Sequence, residues 1–233
     1  MLHGDGLSKS FGSVRVLTDI DITLESGELV ALLGASGAGK STLLRILSMI
    51  DTPDAGKVVL DGQDPGPTPW PDVTVVFQDL FLWPHLSNRE NIELPLRARR
   101  LADSAAKVER VIEALELGSF IGRYPNQVSR GQRQAVAIAR AIALSPRYLL
   151  LDEVTASLDV TRAARLAVLL RELTTAGTGI LIITHQLVFA RSWADRVVFL
   201  DGGRIGEQGL SAILDSPKSP SLREFVATLS RVS

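Results

Sequence analysis

The stretch GASGAGKST at residues 34–42 constrains this chain more than any other part of its sequence. An apolar run precedes it and apolar residues at helical spacing follow it, which predicts a glycine-rich turn between a buried strand and a helix. The stretch fulfils the pattern G-x-x-x-x-G-K-[ST]. Glycines let the backbone curl so that several N–H groups converge, and the helix N-terminus adds partial positive charge. The stretch therefore predicts a phosphate cradle for a nucleoside triphosphate.

Two side chains of this loop have the chemistry that a triphosphate requires. Lys40 is long enough to reach the β- and γ-phosphates, and the Ser41 hydroxyl can ligate Mg²⁺. With lysine and serine at the fixed places, we favour nucleotide binding over an ordinary strand-to-helix turn. The predicted phosphate-binding residues are Gly34, Ser36, Gly37, Ala38, Gly39, Lys40, Ser41 and Thr42.

Composition narrows the class of protein. The 233 residues suit one large domain or a domain with a lobe, and 45% hydrophobic residues are enough for a sizeable core. A net charge of −1 disfavours a nucleic-acid partner, and the absence of cysteine excludes disulfides and thiolate chemistry. The N-terminal residues lack the pattern of a signal peptide, and no apolar run is long enough to span a bilayer. We therefore expect a soluble cytoplasmic protein whose membrane role would come through a partner.

The pattern along the chain predicts strands that alternate with helices. Residues 1–33 are expected to form short strands, with a turn at residues 8–12 and a strand at 14–24. Further strands are predicted at 58–60, 73–77, 148–151 and 179–184, a hairpin at 196–209, and helices up to about 49 and at about 90–99, 102–117, 132–144 and 161–175, with two short helices at the end. This alternation implies a largely parallel sheet with helices on both faces, and residues 79–145 are interpreted as an inserted helical lobe.

Polar residues follow several predicted strands, at the place where an open parallel sheet binds its ligands. One strand ends at Asp152 and Glu153, of which one carboxylate could hold Mg²⁺ and the other could polarise a water for in-line attack. Gln78 could contact the metal or that water, or only cap a turn. His185 follows a third strand, where a contact with the γ-phosphate is a better interpretation than a structural role.

A second anion site is predicted at the start of a helix. Ser129, in the sequence VSRGQ, is an N-cap candidate, and the free N–H groups of the helix that follows would bind an anion. The loop at residues 34–42 already accounts for the phosphates within one subunit. The surplus site makes sense if each nucleotide lies between the loop of one subunit and this helix start of another.

These motifs together resemble those of the ATP-binding subunits of ABC transporters, over essentially the whole chain. GASGAGKS resembles the Walker A motif, LLLDE the Walker B motif and VSRGQ the signature motif. Gln78 resembles the Q-loop glutamine, ASLD at residues 156–159 the D-loop, and His185 the switch histidine. Phe11 resembles the aromatic residue on which adenine stacks, whereas its residue type alone favours a place at the edge of the core.

The resemblance implies a fold and a reaction. The fold would be α/β, a P-loop NTPase core with a mostly parallel sheet, an N-terminal antiparallel β subdomain and an inserted helical lobe. It would form a single ABC ATPase domain over residues 1–233, with the core at 1–78 and 146–233 and the lobe at 79–145. Two copies would bind two ATP molecules head to tail and hydrolyse them.

Roles for single residues also follow from the resemblance. Ser41, Gln78 and Asp152 would serve Mg²⁺. Glu153 would be the general base, and His185 would contact the γ-phosphate beside Gln78. The remaining nucleotide-binding residues would be Phe11, Ser129, Arg130, Gly131, Gln132 and Asp159, of which those at 129–132 would complete the site of the partner subunit.

Two positions depart from the family pattern. The signature is usually LSGGQ, and here Val128 and Arg130 replace its leucine and first glycine. A cation at a helix N-terminus is unfavourable by about 0.3–1 kcal/mol, although its charge could instead lie near the partner's phosphates. Val154 stands where the family commonly has a proline, and we expect little effect on chemistry.

Segments outside the motifs indicate the kind of transporter. Residues 81–87 follow Gln78 in the region that faces the membrane subunit in the family, and Trp83 there could dock that subunit or pack within the lobe. The segments at residues 189–191, 194–205, 217–218 and 223–225 resemble the polar amino-acid importers, and we expect no long extra domain after them. We expect a peripheral ATPase on the cytoplasmic face of the membrane that works with permease subunits and a solute-binding protein.

Other functions stay open on the sequence alone. The energising subunit of an exporter or a lipid transporter would have the same fold. A soluble ABC ATPase acting on nucleic acid or ribosomes is disfavoured by the near-neutral charge. A P-loop kinase or GTPase would leave VSRGQ and His185 without a role.

Overall fold

Nine strands form two sheets in the part of the chain that the computed structural model describes, which comprises residues 1–66, 69–100, 103–155 and 160–230. The strands are β1 (Leu2–Phe11), β2 (Val14–Leu24), β3 (Leu29–Leu33), β4 (Ala55–Leu60), β5 (Val73–Val76), β6 (Tyr148–Asp152), β7 (Gly179–Ile183), β8 (Arg196–Asp201) and β9 (Arg204–Leu210). One sheet is antiparallel, in the order β2-β1-β4. The other has the order β5-β6-β7-β3-β8-β9, in which only β9 runs antiparallel.

Seven α-helices connect these strands within the same described residues. They are α1 (Lys40–Leu47), α2 (Asn88–Arg99), α3 (Ser104–Ala114), α4 (Arg130–Ile142), α5 (Val160–Thr175), α6 (Leu187–Trp193) and α7 (Pro220–Ser230), with short 3₁₀ turns at Pro125–Gln127 and Ser211–Leu214. The helices α2, α3 and α4 lie within the predicted lobe at residues 79–145. The predicted α/β fold with an antiparallel N-terminal sheet, a mostly parallel sheet and a helical lobe is confirmed. No helix among the described residues is long and apolar enough to cross a membrane.

The two faces of the larger sheet carry separate parts of the core. In β3 the alternate residues Leu29, Ala31 and Leu33 pack with the helical lobe, while Val30 and Leu32 pack with α1 and the antiparallel sheet. Because both faces are covered, every residue of β3, β6 and β7 is buried, which explains their continuous apolar sequences. The parallel strands end at one edge of the sheet, so the loops that follow them meet there.

Three predictions of secondary structure are wrong in detail. Residues 8–12 are not a turn, because β1 continues to Phe11 and the turn is confined to the next two residues, where Gly12 has φ +60°. The third helix is shorter than residues 102–117, since it ends at Ala114. The helix α6, which follows His185, was not predicted, because it is only seven residues long.

Candidate functional site

The phosphate loop connects β3 to α1 and needs glycine for steric reasons. Gly34, Gly37 and Gly39 have φ values of +154°, +80° and +101°, which disfavour any residue with a side chain. A Cβ atom on Gly34 would lie 2.3 Å from the Leu200 carbonyl oxygen. A Cβ atom on Gly39 would lie 2.9 Å from the carbonyl oxygen of Val16. The loop is therefore wedged between the neighbouring strands in a shape that only these glycines permit.

Lys40 already lies folded into the loop. Its side-chain ammonium donates hydrogen bonds to the carbonyl oxygens of Gly34 at 2.8 Å and Ala35 at 2.9 Å, and the residue is 6% exposed. Burial lowers the pKa of the Lys40 ammonium, while the nearby carboxylates of Glu153 and Asp152 oppose that shift. The charge is held at the place where a β- or γ-phosphate is expected.

Asp152 and Ser41 form an oxygen pair beside the loop. Asp152 is the last residue of β6 and is 4% exposed, and burial raises the pKa of its carboxyl group. It accepts a hydrogen bond from the Ser41 hydroxyl, which acts in the opposite direction on that pKa. Hard oxygen donors of this kind fit Mg²⁺. Among the described residues, no group of three or more His, Asp or Glu side chains is placed to hold a metal ion.

Glu153 and His185 are brought together from neighbouring strands. The Glu153 Oε1 atom lies 2.8 Å from His185 Nε2, and both side chains are half-buried. The Glu153 backbone N–H donates to the Ile183 carbonyl oxygen at 3.1 Å. Glu153 has φ +51°, a conformation that is uncommon for a residue other than glycine and that is found at functional sites. A carboxylate and a histidine thus lie at the same sheet edge as Lys40.

Buried polar residues lie next to this pair and were not predicted from the sequence. The hydroxyls of Thr155 and Thr184 lie 3.1 Å apart in the loops that carry Glu153 and His185, and the Gln186 backbone N–H donates to Thr184 Oγ1 at 3.1 Å. The side chain of Gln134, in α4, reaches the Glu153 carbonyl oxygen at 3.5 Å. The available signal was a polar residue at a buried position, such as a glutamine on the apolar face of α4.

Gln78 and Phe11 lie in exposed positions. Gln78 follows the end of β5 by two residues and makes no hydrogen bond within the described part of the chain. Phe11 is the last residue of β1 and is 53% exposed, with the Lys9 ammonium 5.7 Å from its ring centroid. That exposure does not fit a residue at the edge of the core, and it leaves the ring face available for stacking.

The predicted second anion site is the start of α4. The Ser129 hydroxyl accepts from the Gln132 backbone N–H at 3.2 Å, and the Gln132 side chain accepts from the Ser129 N–H at 2.9 Å. This reciprocal cap leaves the first N–H groups of the helix, at Arg130 and Gly131, without an acceptor inside the helix. Across the described residues, no hydrogen bond or ion pair joins residues 129–132 to the loop at 34–42. The predicted D-loop and its Asp159 lie outside the described residues.

Comparison with known proteins adds independent findings. A family model described as ABC transporter matches residues 17–156. The arginine transport ATP-binding protein ArtP of Escherichia coli (strain K12) is 36% identical, and the match covers 96% of this chain and 98% of that protein. The glutamine transport ATP-binding protein GlnQ of the same strain is 37% identical, with 99% and 100% covered. The sulfate/thiosulfate import ATP-binding protein CysA of Synechococcus elongatus is 39% identical, with 94% of this chain but 66% of that protein covered.

Solved structures agree with the fold. The structure of an ATP-binding subunit of an ABC transporter has a TM-score of 0.86 at 28% identity, and the match covers 99% of both chains. A dimeric ATP-binding cassette in a post-hydrolysis state, bound to ADP and Pi, has a TM-score of 0.81 at 30% identity. That match covers 91% of this chain and 99% of the other.

Proposed function

The chain belongs to the ABC transporter family, and from that membership we propose that two copies share two ATP sites and drive the import of polar amino acids. As a family member it is the ATP-binding subunit of an importer and hydrolyses ATP to energise transport. ABC cassettes dimerise and work with permease subunits. The roles of single residues, the solute and a solute-binding protein are the parts that we propose.

One observation supports the residue roles above all others. Lys40, Asp152, Glu153 and His185 come from three different strand ends and converge at one edge of the sheet. In the proposal, Lys40 and the backbone N–H groups of the loop bind the β- and γ-phosphates, and Phe11 stacks on the base. Ser41, Asp152 and Gln78 hold Mg²⁺, which when bound neutralises charge on the phosphates.

Glu153 is the proposed general base. Its carboxylate accepts a proton from a water molecule whose oxygen attacks the γ-phosphorus in line, and the bond to the ADP oxygen breaks. His185 holds the Glu153 carboxylate at 2.8 Å and contacts the γ-phosphate once the nucleotide is present. Residues 129–132 of the second copy close the site from the other side, because their own chain gives them no phosphate to bind.

The variant Glu153→Gln tests this assignment. An amide cannot accept the proton, so hydrolysis should fall by about 10²–10⁴-fold. Binding should persist, and ATP should drive a stable dimer that size-exclusion chromatography with light scattering detects. The matched control Glu113→Gln removes an exposed carboxylate of α3 and should change neither quantity. Full hydrolysis by the Glu153→Gln protein would exclude Glu153 as the base.

The permease is proposed to dock on a groove beside Gln78. The groove has a volume of about 340 Å³, and its lining includes Trp70, Phe77, Trp83, Pro95 and Leu144. Phe81 is 67% exposed and Trp83 is 40% exposed, which is unusual for large aromatic residues and typical of an interaction surface. Docking of a membrane subunit there would place this chain on the cytoplasmic face of the membrane.

Polar amino acids are the proposed solutes, because two relatives named for arginine and glutamine transport match along nearly their whole length. Sulfate is the second candidate, since the sulfate/thiosulfate ATPase is slightly more identical to this chain. The test is ATP-driven uptake by liposomes that contain this chain and the permease subunits that co-purify with it. Labelled glutamine and arginine should enter. Uptake of labelled sulfate alone would reject the amino-acid proposal and leave the ATPase assignment intact.

A further inference from the structure

Arg140, in the last turn of α4, is a half-buried cation without an acidic partner in the described part of the chain. Its guanidinium group donates to two successive carbonyl oxygens, those of Leu80 and Phe81, each at 2.8 Å. It also lies over the Trp83 ring, 5.2 Å from the centroid. Burial lowers the pKa of Arg140 to about 10. Both hydrogen bonds of the guanidinium and its contact with an aromatic ring are thus made with the segment that follows Gln78.

Placing the Arg140 guanidinium there costs solvation free energy, which is offset if the group holds a neighbouring segment in place. A charge partly taken out of water without a carboxylate partner loses some solvation, and carbonyl oxygens replace only part of it. The planar fork of arginine, however, suits two adjacent acceptors, which a lysine ammonium cannot bind in the same fixed geometry. Phe81 has φ +45°, a strained conformation that persists only where surrounding contacts determine it. Arg140 supplies two of those contacts.

The helix that carries Arg140 begins at the second anion site. Ser129 caps α4, and Arg140 lies eleven residues further on, about 17 Å along the axis at 1.5 Å per residue. The start of α4 is itself fixed, because the Arg133 guanidinium donates to the Val128 carbonyl oxygen at 2.9 Å. A helix held at both ends moves as one body, so a displacement of its start also displaces Arg140.

We propose that Arg140 is a positioning residue that couples ATP-driven closure at the start of α4 to the permease-facing segment at residues 80–83. This inference rests on the proposed shared ATP site and adds the route by which that site reaches the docking groove. Closure of the dimer moves α4, the Arg140 fork moves the carbonyl groups of Leu80 and Phe81 with it, and Trp83 changes its surroundings.

Fluorine NMR of the full chain tests this route. The protein is labelled with 5-fluorotryptophan in the Glu153→Gln background, and the Trp83 resonance is assigned from the Trp83→Phe variant. Addition of ATP and Mg²⁺ should shift the Trp83 resonance when the dimer forms. In Arg140→Met the dimer should still form, and the Trp83 shift should be lost, because methionine keeps an apolar stem but lacks the fork. Arg140→Lys, a milder change, should lose at least half of the shift.

A matched control variant distinguishes loss of coupling between the ATP site and residues 80–83 from a general loss of structure. Arg191 in α6 also donates to a carbonyl oxygen of another element, that of Leu214 at 3.0 Å, and Arg191→Met should keep the full Trp83 shift. If the Trp83 shift in the Arg140→Met and Arg140→Lys dimers were as large as in the parent dimer, the route through Arg140 would be overturned. A parent dimer that forms without any Trp83 shift would also overturn it while leaving the shared site intact. Failure of the parent to dimerise with ATP would instead refute the proposed function.

Discussion

The cations Lys40 and Arg130 lie in opposite environments. Lys40 is buried, and two carbonyl oxygens of its own loop compensate its charge. Arg130 is exposed at the first position of α4, where the positive end of the helix dipole disfavours it, and its side chain has no hydrogen bond or ion pair within the described residues. A cation in that position is favourable only when an anion approaches it, and in the shared site the anion would be the partner's triphosphate.

The first prediction at this scale concerns Arg130→Gly. Removal of the guanidinium should weaken ATP-dependent dimerisation of the Glu153→Gln protein by about threefold to tenfold, a change of roughly 1 kcal/mol. It should also reduce the sensitivity of dimerisation to salt, because one charge pair is lost. Hydrolysis should be altered but not abolished. Unchanged dimerisation and unchanged hydrolysis would show that Arg130 plays no part in the nucleotide site.

The second prediction concerns Asp152, whose pKa is raised by burial. Below the ordinary carboxyl pKa the group is protonated in both the folded and the unfolded chain, so it does not affect stability. As the pH rises through the raised pKa, the folded protein must ionise a buried group, and stability falls. Asp152→Asn should therefore raise the melting temperature of the nucleotide-free protein at pH 7, by about 2–4 °C for each kcal/mol regained.

Thermal melts at several pH values check this result. The gain from Asp152→Asn should shrink as the pH is lowered towards 4 and should be largest above the raised pKa. An equal change at every pH, or a loss of stability at pH 7, would contradict the burial argument. ATP hydrolysis should fall sharply in the same variant, since the amide is a poorer ligand for Mg²⁺.

At the scale of elements, the proposed catalytic pair depends on how the ends of β6 and β7 are joined. Glu153 and His185 are 32 positions apart in sequence, and the buried hydroxyls of Thr155 and Thr184 meet in the same two loops. The hydrogen bond between these threonines links the two loops. The geometry of the proposed base is therefore a property of two strands together.

The prediction at this scale is that Thr184→Val impairs turnover and not binding. Valine has the same shape but no hydroxyl, so the loops lose their link while the core keeps its volume. We expect kcat to fall roughly tenfold with little change in KM, since one buried hydrogen bond contributes about 1–1.5 kcal/mol. Thr184→Ser keeps the hydroxyl and should restore most of kcat. Equal turnover in the valine variant would show that the hydroxyl pair has no positioning role.

The elements also show what sequence patterns can and cannot predict. The strands β3, β6 and β7 were predictable because burial of both faces demands continuous apolar sequence. The full length of β1 was not, because irregular pairing between Gly4 and Ser10 breaks the alternation that a strand usually shows. Pairing with both β2 and β4 nevertheless keeps this segment extended.

The same limit applies to the candidate site. Lys40, Asp152, Glu153 and His185 were identified because fixed spacing or a strand end marks them in the sequence. Thr184, Gln134 and Arg140 escaped notice because their partners lie in distant parts of the chain, 29, 19 and 59 or more positions away. No local pattern encodes a contact of that kind, and only the packed fold shows it.

At the scale of the whole molecule, the two faces of the larger sheet pack against different parts of the chain. One face packs with the antiparallel sheet, whose exposed Phe11 is the proposed base platform, and the other face packs with the helical lobe that carries α4. The phosphate loop lies between them at the sheet edge. In the proposed dimer, a single chain therefore holds one half of a nucleotide site at its loop and one half of another at Ser129, and a second copy completes both.

Complementation between two defective variants tests this claim most directly. Two proteins are made, both in the Glu153→Gln background. The first carries Lys40→Ala, which inactivates its phosphate loop. The second carries Ser129→Glu, which places a carboxylate at the start of α4, where it would repel phosphate. Each variant alone should stay monomeric with ATP. Their mixture should form dimers that retain about one ATP each, because one intact loop then faces one intact helix start. A mixture that forms no dimer and retains no ATP would show that each site lies within a single chain.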